Sequence, residues 1–199
     1  MNDNWENILN EDILKYNVNF AAMFVLNYEC LKEYVISQVR DFYSDYIHFD
    51  GNKIVGEESI NYKKEVRTLD TNIENASLKW FMEGGAITQD EYEIYQKIRK
   101  RRNDITHELL KNLNNGFCEE DVKLFSCLLD IYSKIDKWWI NEIEIPISGD
   151  LETDDYDKEA VFGGQAMVLS IINNIILGNE GLRYKEMLNE LMKSWNSGH

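Results

Sequence analysis

One proline in 199 residues, Pro146, is the feature that most restricts what this chain can fold into. Proline fixes φ, removes a backbone donor and clashes with the preceding helical turn, so it normally punctuates helices and loops. A chain almost free of it can form long uninterrupted helices, and the hydrophobic pattern uses that freedom. From Asn17 to about Tyr46, Ala21, Phe24, Val25, Tyr28, Leu31, Val35, Val39 and Phe42 recur at helical spacing. The helix they predict exceeds the average of about 11–12 residues. It should end before the turn-like string FDGNK, Phe49–Lys53.

A second helix is expected from about Ser59 to Met82, stopped by Gly84-Gly85. The third has the clearest start: Thr88-Gln89-Asp90-Glu91 reads as a capping box, with Thr88 at N-cap and Glu91 three positions on. It should run to about Leu113, before Asn114-Asn115-Gly116. A fourth, from about Glu119 to Ile143, carries Leu124, Cys127, Leu128, Ile131 and Ile135, with Trp138 and Trp139 placed to anchor the core. An acidic connector (Ser148–Glu159) and two further helices, about Ala160–Leu177 and Leu182–Trp195, complete the chain. No strand pattern competes. The expectation is an all-α, antiparallel helical bundle of about four long helices plus a C-terminal helical extension. Residues 1–145 would form the bundle, and residues 146–199 would pack on the same domain.

Hydrophobic residues at 44% and aromatics at 12% supply a real core. A formal charge of −15 argues against coating duplex DNA through a broad basic face, but leaves room for one concentrated cationic site. Cys30, Cys118 and Cys127 are odd in number, lack CxxC spacing and sit in apolar contexts, which predicts buried reduced thiols. MNDNWENILNED has neither a basic n-region nor an apolar h-region, so no secretion signal is expected. The nearest approach to a membrane span, Ala166–Leu177, is interrupted by Ser170, Asn173 and Asn174. A soluble cytoplasmic protein is the expectation.

Against this acidic background one segment stands apart. Five of the six residues Lys97–Arg102 (KIRKRR) are basic, three of the six arginines fall there, and His107 follows at once. Ile94, Ile98, Ile105 and Leu109 form a stripe within about 60° of arc, and Arg102 lies at its edge, where a charge is expensive unless paired or beside a cavity. Asn103 and His107 share a different face with Lys100. Arg102 and His107 differ by about 140° in azimuth and about 7.5 Å in rise. Either the arginine curls toward the histidine, or a dimer two-fold brings copies of the face together. A guanidinium near an imidazole over a basic helix suits a phosphate. A plain solvated face is the competing account, with Glu93 four residues before Lys97 and Asp104 able to neutralise Lys100 or Arg101.

Metal chemistry fits less well. His107-Glu108 begins like HExxH, but position 111 is Lys111, so the second zinc ligand is missing. Asp45-x-x-His48 and Asp104-x-x-His107 resemble the acid-histidine pairs of di-iron bundles, yet aspartate is short for that geometry and the cations would repel a dication. His48 is better read as a helix-end residue capping carbonyls. Gly163-Gly164 has no phosphate-loop motif around it and marks a helix start or a close approach. No cofactor is expected.

The string Arg102-Asn103-Asp104-Ile105-Thr106-His107 resembles the signature of the HEPN superfamily (higher eukaryotes and prokaryotes nucleotide-binding). That signature is an arginine, often followed by a polar residue, with a histidine after four to six intervening positions. The resemblance covers about residues 10–145. It implies a small helical bundle, a homodimer, and metal-independent cleavage of RNA of the kind found in toxin–antitoxin and antiphage systems. His107 would be general acid or base, Arg102 would neutralise the phosphorane, and Asn103 would orient the phosphate or imidazole. The products would be a 2′,3′-cyclic phosphate and a 5′-hydroxyl. Arg99, Lys100 and Arg101 would hold flanking phosphates, and Tyr92 or Tyr95 would stack a base. An antitoxin or other regulatory protein is an implied partner. Some toxin members carry a modifiable tyrosine two residues after the histidine, where this chain has Leu109. The alternative is a non-catalytic HEPN-like bundle that binds a nucleotide or a protein.

Overall fold

The computed structural model describes residues 5–44, 47–50, 53–56, 58–148 and 156–176. Helix α1 (Trp5–Leu9) leads into α2 (Glu11–Phe42), which is 32 residues long. Asn10 caps α2, its side-chain oxygen accepting from the amides of Asp12 and Ile13, so the helix starts earlier than its apolar spacing indicates. It ends at Phe42 rather than Tyr46. An antiparallel hairpin follows, β1 (Ile47–Asp50) against β2 (Lys53–Gly56), with Asp50 opposite Lys53 and His48 opposite Val55. Two expectations are corrected here: a strand pair is present, and His48 sits in a strand rather than at a helix end. The signal was available, since Ile47, Phe49, Ile54 and Val55 are strand formers flanking a Gly-Asn pair. Asp45 and the turn residues Gly51 and Asn52 lie outside the described residues.

The expected Ser59–Met82 helix is two helices, α3 (Ile60–Glu65) and α4 (Ile73–Glu83). Short polar side chains make the break by offering the backbone local partners. Asp70 accepts from the Asn72 amide at 2.9 Å, and Asn72 then caps α4 by accepting from the Asn75 amide at 3.0 Å. The glycine stop holds. Gly85 adopts a φ of 84°, and the Ala86 amide returns to the Phe81 carbonyl at 2.9 Å.

The capping box opens α5 (Gln89–His107), with the Thr88 amide donating to Glu91 Oε2 at 2.8 Å and the Glu91 amide to Thr88 Oγ1 at 3.3 Å. This helix does not reach Leu113. Glu108 leaves helical geometry at φ −122° and ψ 38°, and α6 (Leu109–Asn115) starts afresh. Helix α7 (Glu119–Trp139) passes through a π-helical turn (Ile140–Glu144) into α8 (Ile145–Ser148). The α ladder loosens just before Pro146, whose missing N–H cannot continue it. Helix α9 (Gly164–Ile176) packs on α2 and α7, and Asn27 and Asn173 exchange amide hydrogen bonds at 2.8 and 2.9 Å across the first contact. The expected helix Leu182–Trp195 and most of the acidic connector lie outside the described residues.

The chain is therefore an all-α bundle of packed helices with one small hairpin. Helices α2, α4, α5 and α7 enclose Phe24, Leu31, Val35, Leu78, Phe81, Ile98, Leu128 and Ile135. Trp138 and Trp139 join Trp80, Phe81 and Phe42 in an aromatic cluster, as their spacing indicated. Gly84 makes room for it, because a Cβ there would stand 2.9 Å from the Trp138 ring. Ile98 and Ile105 are buried, but Leu109 is 44% exposed, since the break at Glu108 ends the stripe before it. The thiol expectation needs correction: all three cysteines are free, Cys30 and Cys127 are half-buried, and Cys118 is exposed. Among the described residues no helix is long and apolar enough to cross a membrane.

Candidate functional site

The break after His107 is held in place by one arginine. Asn112 donates to the carbonyls of Asp104 and Glu108 at 3.0 and 2.9 Å, collecting carbonyls that the end of α5 leaves open. Its own oxygen accepts from Arg101 Nη1 at 2.8 Å. Arg101 Nε and Nη2 donate to the two oxygens of Asp121 at 2.5 and 3.1 Å, and the guanidinium lies 5.6 Å from the Phe117 ring centroid. This is a bidentate pair between α5 and α7. Arg101, expected among the phosphate ligands, has its donor edges committed inward. Burial alone would raise the Asp121 carboxyl, but hydrogen bonds from Arg101 and from the Cys118 amide outweigh it and hold the group below the usual carboxylate range.

Arg102 points the other way, toward α2. Its guanidinium lies 5.2 Å from the centroid of the Tyr28 ring, pairs with the Glu29 carboxylate, and donates from Nη1 to Asn103 Oδ1 at 2.8 Å. Its Nε is buried without an acceptor among the described residues. The charge expected at the edge of the apolar stripe is thus accommodated by a ring and a carboxylate. Glu29 also meets Lys32 Nζ at 3.2 Å, so Arg102 shares its counter-ion.

Beneath this lies a buried carboxylate, Glu74 of α4. It accepts from Tyr28 Oη at 2.6 Å and from Tyr95 Oη at 2.8 Å, and Arg99 Nη1 lies 3.9 Å from its other oxygen. Arg99 also donates to Asn75 Oδ1 at 2.8 Å. Tyr95 is fully buried, so it cannot stack a base, and that assignment is corrected. Burial, and then Glu74, push the Tyr28 and Tyr95 phenols well above their ordinary range; burial with Asp136 does the same for Tyr132. A raised folded-state value stabilises the fold below the unfolded phenol pKa of about 10 and ceases to do so as pH climbs through the folded value. In an alkaline titration followed by phenolate absorbance, exposed tyrosines should ionise at once. These three should ionise only as the helical circular dichroism is lost.

The exposed side of α5 is different in kind. Lys97, Lys100, Asp104 and His107 all face solvent within about 80° of helical arc. Among the described residues neither lysine makes an ion pair, and the His107 side chain makes no hydrogen bond. The Glu93–Lys97 and Asp104–Lys100 pairs of the solvated-face account do not form; Gln89 donates to Glu93 at 3.2 Å instead. Arg102 and Asn103 are joined to one another; Asn103 shares a face of α5 with His107, one helical turn on, while Arg102 lies about 140° around the helix from His107. Among the described residues no group of three or more His, Cys, Asp or Glu side chains is disposed to hold a metal ion.

Glu29, Tyr28, Glu74, Asn112 and Asp121 were not anticipated. Each comes from another helix or from beyond the break, and only the edge position of Arg102 signalled that a partner was needed. No protein-family model, no curated protein and no solved structure matches the chain.

Proposed function

We propose that this protein is an endoribonuclease of the HEPN type, acting without a metal ion through a composite site formed by two copies of the chain. The observation that carries the reading is the exposed face of α5, where His107 and two lysines without ion pairs among the described residues, Lys97 and Lys100, present an imidazole and two cations together. RNA brings its own nucleophile, the 2′-hydroxyl. The protein has to take its proton, return one to the leaving 5′-oxygen and balance the charge of the phosphorane. His107 performs the proton transfers, one copy as base and the other as acid. Arg102 with Asn103 supplies the donors for the phosphoryl oxygens once phosphate displaces Glu29 from the guanidinium. A two-fold axis answers the 140° separation within one helix, since one chain's arginine can then face its partner's histidine. A role as a toxin or defence component, with a protein inhibitor, follows from the same resemblance.

A second reading, a non-catalytic nucleotide- or protein-binding bundle, is favoured by one specific observation. Arg99, Arg101 and Arg102 all have internal partners. The two separate by incubating purified protein with total cellular RNA in EDTA and identifying the cleaved ends. Cleavage leaving 2′,3′-cyclic phosphate supports the enzyme; intact RNA from a well-folded, inhibitor-free protein supports the binding module.

Lysine substitutions test the basic face. Lys97→Ala and Lys100→Ala should each leave stability within about 0.5 kcal/mol of the parent, because both are exposed. Each should flatten the dependence of log affinity for single-stranded RNA on log salt by about 0.7 if it meets one phosphate. Unchanged slopes for both would remove the face from RNA contact.

A further inference from the structure

A cavity of about 440 Å³ lies among α2, α7 and α9, lined by none of the residues assigned to RNA. That volume falls within the range of about 300–1,000 Å³ usual for small-molecule sites. Its walls include Leu129, Met167 and Leu169, and the Asn27–Asn173 pair adjoins them with each amide engaged by the other. Two polar atoms at this site are unusual. Asp136 is only 1% exposed; its Oδ2 accepts from the Gly163 amide at 2.7 Å, the Tyr34 hydroxyl of α2 faces the carboxylate, and Oδ1 has no partner at hydrogen-bond geometry among the described residues. Tyr132, one helical turn earlier on α7 and 4% exposed, also lines the cavity, and its buried hydroxyl has no hydrogen-bond partner among the described residues. The position before α9 is glycine for a local reason: a Cβ on Gly163 would come within 2.5 Å of Asp136 Oδ1.

A carboxylate taken out of water with half of its acceptor capacity unused is costly unless something supplies charge and donors. Apolar walls do not suit a hydrated divalent ion, and the carboxylate repels an anion. The geometry points to a ligand site for a small organic cation, a primary ammonium on an apolar body. Its N–H donors meet Asp136 Oδ1 and the Tyr132 hydroxyl, and its hydrocarbon part covers Leu129 and Met167.

Three matched probes test this on the full chain by isothermal titration calorimetry and melting temperature: phenethylammonium, 2-phenylethanol and 3-phenylpropanoate. Phenethylammonium should bind saturably and raise the melting temperature, the alcohol should bind at least tenfold more weakly, and the carboxylate should not bind. Asp136→Asn keeps an oxygen for the Gly163 amide. It should lose the preference for ammonium while still admitting the alcohol. Ala166→Trp, which fills the cavity from α9, should abolish binding of all three and serves if Asp136→Asn fails to fold. Equal binding of the ammonium and the carboxylate would overturn the proposal. So would ammonium binding unchanged in Asp136→Asn or in Ala166→Trp, or no binding of any probe to the parent.

Discussion

On the ribonuclease reading proposed above, His107→Ala should cut RNA cleavage by orders of magnitude while leaving the fold untouched. Proton transfer by a positioned side chain contributes about 10²–10⁴-fold in rate, and loss of the only imidazole on the α5 face should reduce cleavage by that factor. The His107 side chain is exposed and makes no hydrogen bond among the described residues, so its stability cost should stay within about 0.5 kcal/mol. Arg102→Ala should reduce cleavage by about 10²–10³-fold, the usual consequence of removing one donor to a developing oxyanion. It should also lose some stability, because the Tyr28 ring contact and the Glu29 pair go with it. Growth on expression gives a second readout, with toxicity of the parent relieved by either substitution. Mixing the two inactive chains is more informative still. If one copy's His107 is the base and the other's the acid, a heterodimer of Arg102→Ala and His107→Ala keeps a single imidazole at the composite site and stays impaired; regained activity would instead assign the second proton transfer to water. Full activity of His107→Ala alone would end the assignment of the proton transfers to His107, whatever the heterodimer did.

How far this arrangement was legible in the sequence depends on the distance over which each signal acts. Thr88 and Glu91 declared the start of α5 because a capping box is a local exchange of hydrogen bonds. Gly85 declared the end of α4 because a positive φ is a property of one residue. The end of α5 was misplaced because its cause is remote: Asn112 gathers the open carbonyls only while Arg101 holds it, and Arg101 is held by Asp121 on α7. The same limit applies to the basic cluster. Periodicity separated Lys97, Lys100 and His107 from the apolar stripe. It could not say that Arg99, Arg101 and Arg102 turn toward acids and amides on other helices. The hairpin was missed for another reason, its strands being only four residues each beside much longer helical patterns.

Arg101 is where the chemical and the architectural accounts of the cluster diverge most sharply. Its pair with Asp121 is largely withdrawn from solvent, with side chains 21% and 8% exposed. Removing one member of such a pair leaves the other charge in a site built for two, a loss of about 3–5 kcal/mol for a well-buried pair. Asp121→Ala strands a guanidinium between α5 and α7. Arg101→Ala leaves Asp121 with the Cys118 amide as its remaining backbone donor and frees Asn112 from its anchor. Chemical denaturation should therefore show both single variants destabilised by about 3 kcal/mol, with the double variant losing much less than the sum of the singles. Acid should act in the same direction. The lowered Asp121 value contributes stability that is complete above the unfolded carboxyl pKa of about 3.9 and fades as pH falls through the lower folded value. Arg101→Ala should be insensitive to pH over that window as far as this pair is concerned. The RNA measurement then decides between the two accounts. A bolt predicts lower stability with the salt dependence of RNA affinity preserved. A phosphate ligand predicts a flatter salt dependence with stability intact, and that outcome would return Arg101 to the substrate face.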